Sequence, residues 1–131
     1  MVGLDLTEEV AGRFAFLSFG DQHHDLALQQ IASPPDDASA TDRLSCEHRD
    51  TRPGLYHLAI ELPSDEALER VAELLRSEGR LFEVVDHGIS HALYSRDPDG
   101  HGVEVYVDRR HRAGGRRSWG GQTKAAPISS R

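Results

Sequence analysis

A histidine in the run GLYHLAIEL (54–62) and a glutamate in GVEVYVD (102–108) are the two residues of this chain best placed to do chemistry. Strand alternation gives His57 the opposite parity to Leu58, Ile60 and Leu62, and gives Glu104 the opposite parity to Val103, Val105 and Val107. Both therefore leave the apolar face of a sheet for the other one. One imidazole and one carboxylate on neighbouring strands leave coordination positions open for water, dioxygen or a two-oxygen substrate. Such a pair suits a divalent first-row metal that does chemistry better than one that only braces a fold.

The elements that must bring the pair together can be read from periodicity. After the strand at 54–62, Pro63-Ser64-Asp65-Glu66 offers a helix start, with Ser64 as N-cap and two acids in the first turn. Leu68, Val71, Ala72 and Leu75 mark one helical face, and Gly79 is a suitable stop. Strands follow at roughly 80–86, 91–96 and 102–108, the last two joined by the turn Asp97-Pro98-Asp99-Gly100. Upstream, 2–10 and 13–20 flank Ala11-Gly12 as a hairpin, and a third strand is expected at 23–31. The stretch 32–53, rich in Pro, Asp, Ser and Arg without apolar period, reads as a connecting loop. The pattern is thus a partial βββ module at 1–31 and a complete βαβββ module at 54–108, an internal repeat whose first copy lacks its opening β-α. A right-handed crossover makes the first and last strands of such a module neighbours. His57 then stands beside Glu104 and Tyr106 on one face, while Leu58, Ile60 and Leu62 are expected to bury against the helix on the other.

The fold class is therefore α+β, with one domain over 1–108 and a basic, flexible tail over 109–131. Net charge is −7, and all acidic residues lie at or before Asp108, while Arg109, Arg110, Arg112, Arg116, Arg117, Lys124 and Arg131 follow it. An acidic body repels nucleic acid, which is set aside as a partner. No apolar run is long enough to span a bilayer and the first residues lack a secretory profile, so a cytoplasmic protein without membrane attachment is expected. Cys46 is alone, which excludes a disulfide framework and a thiolate cluster.

The motifs HHDLAL (23–28), GLYHLAIEL (54–62), DHGISHALY (86–94) and RDPDGHGVEVY (96–106) together carry a resemblance. The chain resembles the vicinal-oxygen-chelate superfamily of glyoxalase I, bleomycin-resistance proteins and extradiol dioxygenases, and within it the catechol 2,3-dioxygenase-like proteins. The resemblance implies paired βαβββ modules and makes His57 and Glu104 ligands of Fe(II), or of Mn(II) in some relatives. It places His24 where the dioxygenases keep an acid/base histidine, and His87 and Tyr94 where they hydrogen-bond the catecholate. The implied function is an Fe(II)-dependent extradiol ring-cleaving dioxygenase acting on a catechol-type aromatic with dioxygen. These types make chemical sense, because a chelating catechol must lose protons and a nearby imidazole can take and return one. One departure stands out: relatives use two histidines and a carboxylate, and the first histidine comes from the strand that this chain lacks. The third protein ligand is therefore not found here, and the chain is expected to be truncated or inactive as given. A shortened sheet edge also predicts a homodimer or higher homo-oligomer. The alternative within the superfamily is a metal-free small-molecule binding or resistance protein, or a glyoxalase-type metal-dependent isomerase or lyase.

Plainer readings stand beside these. His57 could be an ordinary strand histidine and Tyr94 a core tyrosine. His24 shares parity with Leu26 and Leu28, which favours a core face if the strand is regular there. His23, His48, His91, His101 and His111 read as solvated, and the acids of the DPDG turn as serving the turn itself.

Overall fold

A computed structural model describes residues 3–30, 54–81 and 83–125. Its contacts fall into two compact units, one holding the strands before residue 31 and the other the elements from Gly54 onward. The loop expected over 32–53, with Cys46 and His48, lies outside the described residues, as does 126–131.

The first unit is an antiparallel sheet of β1 (Asp5–Val10), β2 (Phe14–Ser18) and β3 (Leu26–Gln29), in that order. Ala11 and Gly12 both take positive φ, 48° and 66°, as the two-residue hairpin turn that matches strand twist requires. The Arg13 N–H donates to the Val10 carbonyl at 2.9 Å and closes that turn. At the other end the Asp25 carboxylate accepts from the Phe19 N–H and the Ser18 hydroxyl, both at 2.8 Å. That local pairing delays the third strand, so β3 begins at Leu26 and the histidines of HHDLAL stand in the turn before it.

The second unit contains β4 (His57–Glu61), α1 (Asp65–Ser77), β5 (Glu83–Asp86), β6 (Ser90–Arg96), β7 (Gly102–Asp108) and β8 (Lys124–Ala125), with sheet order β4-β7-β6-β5-β8. This is the expected βαβββ module: β4 and β7 are parallel neighbours and β5, β6 and β7 form an antiparallel meander. The helix starts where the capping signal predicts, with Ser64 Oγ accepting the Ala67 N–H at 3.2 Å. It ends at Gly79, whose φ of 67° suits the left-handed position after a helix C-cap. Leu68 and Ala72 of α1 pack on Leu93, Val105 and Val107, with Leu62, Val71, Leu75 and Val84 around them. Burying a side chain of the size of Leu93 contributes about 1.5–3 kcal/mol.

Two expectations change. Leu58 and Ile60 are about half exposed, at 48% and 49%, instead of buried under the helix. They belong to β4, at the edge of the sheet, and α1 packs on β6 and β7. The tail, expected to be flexible, is folded as far as Ala125. Arg109 and Arg112 pair with Asp65 at 3.1 and 2.8 Å, Trp119 is buried at 5% exposure, and β8 pairs with β5. Opposite charges far apart in sequence draw the basic segment onto the acidic body, and one large indole anchors it.

Candidate functional site

The face of the second sheet turned away from α1 follows from the register. Ala59 and Tyr94 are both paired with Glu104, Ala92 with Tyr106 and Val85 with Ala92. His57, Glu104, Tyr106 and Tyr94 therefore share one face, while Leu93, Val105 and Val107 take the other. His57 is registered with Gly102, so it meets Glu104 on the diagonal. Its Nε2 lies 3.0 Å from Glu104 Oε2. The expected juxtaposition of these two groups is present, and both side chains are largely buried, at 23% and 10% exposure.

The chain of contacts continues past the pair. Tyr94, its ring 5.7 Å from that of His57, hydrogen-bonds Glu104. Tyr94 Oη lies 2.8 Å from His87 Nε2 in the buried interior, and His87 Nδ1 lies 3.0 Å from Thr123 Oγ1. Trp119 sets its ring edge-on to His87 at 6.4 Å and donates its indole N–H to Thr123 Oγ1 at 3.3 Å. Burial alone would raise the Glu104 pKa. The His57 hydrogen bond, the charges of His57 and His87 and the Tyr94 hydrogen bond outweigh it and hold the carboxyl below its ordinary value. His87 is lowered by burial, against the pull of Glu104 and Asp86, so its neutral form is favoured. Tyr106 is pushed up to about 12 by burial and then by Glu61, Glu104 and Asp108, so its hydroxyl keeps its proton.

Four of the five sequence-predicted residues are thus linked in the second unit: His57, Glu104, Tyr94 and His87. The fifth, His24, belongs to the first unit. There its Nδ1 lies 2.7 Å from Nδ1 of His23, and both rings lean on Phe16 with centroids 4.8 Å away. His23, expected to be solvated, is instead half-buried against Glu8, with Nε2 and Oε2 2.6 Å apart. A side chain in a tight turn is positioned by its neighbours and not by strand alternation, so the parity reading had no hold on either histidine. Thr123 and Trp119 were missed. The one signal for them was a sole tryptophan in a Gly-, Arg- and Ser-rich segment.

The pair can be tested as metal donors. With bonds of about 2.1 Å and a right angle at the ion, cis ligands stand about 3 Å apart. Nε2 of His57 and Oε2 of Glu104 are at 3.0 Å, so the donor set fits two positions on one divalent ion. Among the described residues no third His, Cys, Asp or Glu brings a ligand atom within 4.8 Å of both. A separate group, Asp97, Asp99 and His101, does bring ligand atoms together, but in the exposed DPDG hairpin. There Asp97 accepts the N–H groups of Asp99 and His101 and lies 2.9 Å from the His101 ring nitrogen, which is the work of a turn. None of the described helices is long and apolar enough to cross a membrane.

The chain is similar to known proteins. A catechol-2,3-dioxygenase of Bacillus subtilis (strain 168) is 46% identical over 56 residues, covering 43% of this chain and 20% of that protein. The chain therefore spans about a fifth of the length of that curated relative. Among solved structures, a lactoylglutathione lyase from Agrobacterium tumefaciens is 17% identical with a TM-score of 0.38, over 86% of this chain and 81% of that one. A putative glyoxalase from Bacillus halodurans is 18% identical with a TM-score of 0.36, over 81% of this chain and 76% of that one. The profile of the Glyoxalase/Bleomycin resistance protein/Dioxygenase superfamily matches residues 2–105. That match runs through most of the chain, from β1 into β7, and the chain belongs to this superfamily.

Proposed function

We propose that the chain is an Fe(II)-dependent extradiol dioxygenase, or a part of one, acting on a catechol-type aromatic. The observation that carries this reading is the linkage of His57, Glu104, Tyr94 and His87 on one sheet face. The relative named catechol-2,3-dioxygenase, at 46% identity over 56 residues, supports it. His57 and Glu104 would hold Fe(II), with Mn(II) as the variant ion. Bound iron would supply the one-electron exchange that dioxygen needs and a Lewis-acidic seat for two catechol oxygens.

The chain's own residues do the rest. Glu104, ionised and buried, supplies negative charge that compensates a cation beside it. Tyr94 stands one hydrogen bond beyond the carboxylate and His87 two, where they can bond a ligand oxygen and fix its orientation. Tyr106, its pKa raised, stays a neutral donor near the same carboxylate. Val85 and Ala92, fully buried on this face, exclude water beside the Tyr94 ring.

The experiment is anaerobic loading with Fe(II), then oxygen uptake over a panel of catechols. Two protein ligands predict weak iron binding and slow turnover. Catechol-dependent oxygen uptake that Glu104→Gln abolishes supports the reading. Iron retained without oxygen uptake on any catechol overturns it in favour of an isomerase or lyase, and ligand binding without metal favours a sequestering protein. Self-association belongs to the same reading, and a strict monomer by light scattering at high concentration would count against it.

A further inference from the structure

We propose that His23 and His24, in the turn before β3, form a transition-metal site in the first unit, one that takes Cu(II) or Ni(II) through the Nδ1 atoms of both rings. Neighbouring residues of a strand point to opposite faces. These two converge because the turn that Asp25 closes on Ser18 and Phe19 holds them ahead of the strand. Their Nδ1 atoms stand 2.7 Å apart, with the rings nearly perpendicular at 82°. Whichever ring carries the proton between them in the metal-free chain, an ion displaces that proton to solvent and takes both nitrogens.

The surroundings are those of a ligand pair. His23 Nε2, the nitrogen that an Nδ1-bound ion leaves protonated, lies 2.6 Å from Glu8 Oε2 on β1, and the two side chains are only 9% and 13% exposed. A carboxylate on the far nitrogen of a ligating histidine fixes the ring and strengthens it as a donor. Phe16 of β2 backs both imidazoles, its ring centroid 4.8 Å from each. The Thr7 hydroxyl lies within hydrogen-bond distance of the Phe16 and His23 carbonyls and ties the turn to β1 and β2. Both rings are thus set by the sheet before any ion binds.

The spacing selects the ion. With bonds of about 2.0–2.1 Å, nitrogens 2.7 Å apart subtend roughly 80° at the metal, while tetrahedral ligands would stand about 3.3 Å apart. A near-right angle suits the tetragonal ions Cu(II) and Ni(II), and the general affinity order favours Cu(II) of the two. Among the described residues no third His, Cys, Asp or Glu brings a ligand atom within 4.8 Å of both nitrogens, so solvent completes the shell. The site uses no residue of the second unit, and it stands or falls whatever Fe(II) and catechols do there.

The test is a proton–nitrogen correlation spectrum of the 15N-labelled, metal-free protein titrated with Cu(II) in a non-coordinating buffer, since a paramagnetic ion broadens the amides around it. Signals of Glu8, Phe16, His23 and His24 should be lost at substoichiometric Cu(II). The same sample, frozen, should give an electron paramagnetic resonance spectrum split by two imidazole nitrogens. His24→Ala should keep the amide signals of Glu8 and Phe16 at the same Cu(II) concentration. Glu8→Gln leaves both ligands in place and should raise the Cu(II) concentration needed by about 10–100-fold, as for loss of the partner behind a ligating histidine. Broadening confined to His57 and Glu104, or to the turn from Asp97 to His101, overturns the proposal. So does broadening at the first sheet that neither variant changes.

Discussion

His57 reaches Glu104 across a diagonal, and Gly102 is what opens that diagonal. A Cβ at position 102 would stand 2.7 Å from the Tyr56 carbonyl oxygen and 3.0 Å from the His57 Cβ. Only glycine lets β4 approach β7 closely enough for the imidazole to lean along the strand, and the 3.0 Å contact depends on that approach.

Gly102→Ala should therefore push β4 outward and separate the pair. The expected cost is about 1–3 kcal/mol, in the range of overpacking a close contact, measured by urea denaturation. A variant as stable as wild type, with the His57 ring signals unmoved, would show that β4 yields without strain.

Removing His57 leaves a buried carboxylate short of its main partner. His57→Ala should destabilise the metal-free chain by about 2–4 kcal/mol, since an uncompensated buried charge costs more than the pair contributes. Glu104→Gln should cost less, because it removes the charge and keeps the shape. Equilibrium unfolding of both variants in one buffer decides the order.

Stability should fall on mild acidification. Burial lowers the His87 pKa below its ordinary 6.5, with Glu104 and Asp86 working the other way. Between that lowered value and 6.5 the unfolded chain binds a proton that the folded chain refuses. The contribution is therefore complete above about 6.5 and is lost as pH falls from there to the folded value. Urea midpoints of the metal-free protein across this window should decline, and His87→Gln should flatten that part of the profile.

Trp119 is the sole tryptophan and is 5% exposed, so its fluorescence reports on the C-terminal segment alone. Native emission should be blue-shifted and should move to the red at the same denaturant concentration as the loss of sheet signal. Trp119→Ala should cost about 3–5 kcal/mol. Emission already at the solvent-exposed wavelength in the native protein would show that the segment does not pack.

Sequence reading succeeded where a local rule governs. Ser64, Gly79 and the DPDG turn announce the ends of α1 and the β6–β7 hairpin, and two-residue alternation puts His57 and Glu104 on one face. It failed where position depends on distant partners. Leu58 and Ile60 have the parity of core residues, but parity does not say whether a strand is central or at an edge. The pairing of Arg109 and Arg112 with Asp65 joins residues too far apart for any periodic signal. In HHDLAL the motif identifies the histidines, while the Asp25 turn decides which way they face.

The folded C-terminal segment also bears on where this domain may be cut. The superfamily profile stops at residue 105, so a boundary drawn just after β7 would look complete and would keep His57, His87, Tyr94 and Glu104. It would also remove Trp119 and Thr123, leaving His87 Nδ1 to water and uncovering the edge of β5 that β8 pairs with. During synthesis the same order holds: His57, His87, Tyr94 and Glu104 leave the ribosome before Trp119 and Thr123, which pack on the His87 ring. A fragment trimmed to the profile would hold His57, His87, Tyr94 and Glu104 with one side of the His87 ring left to water.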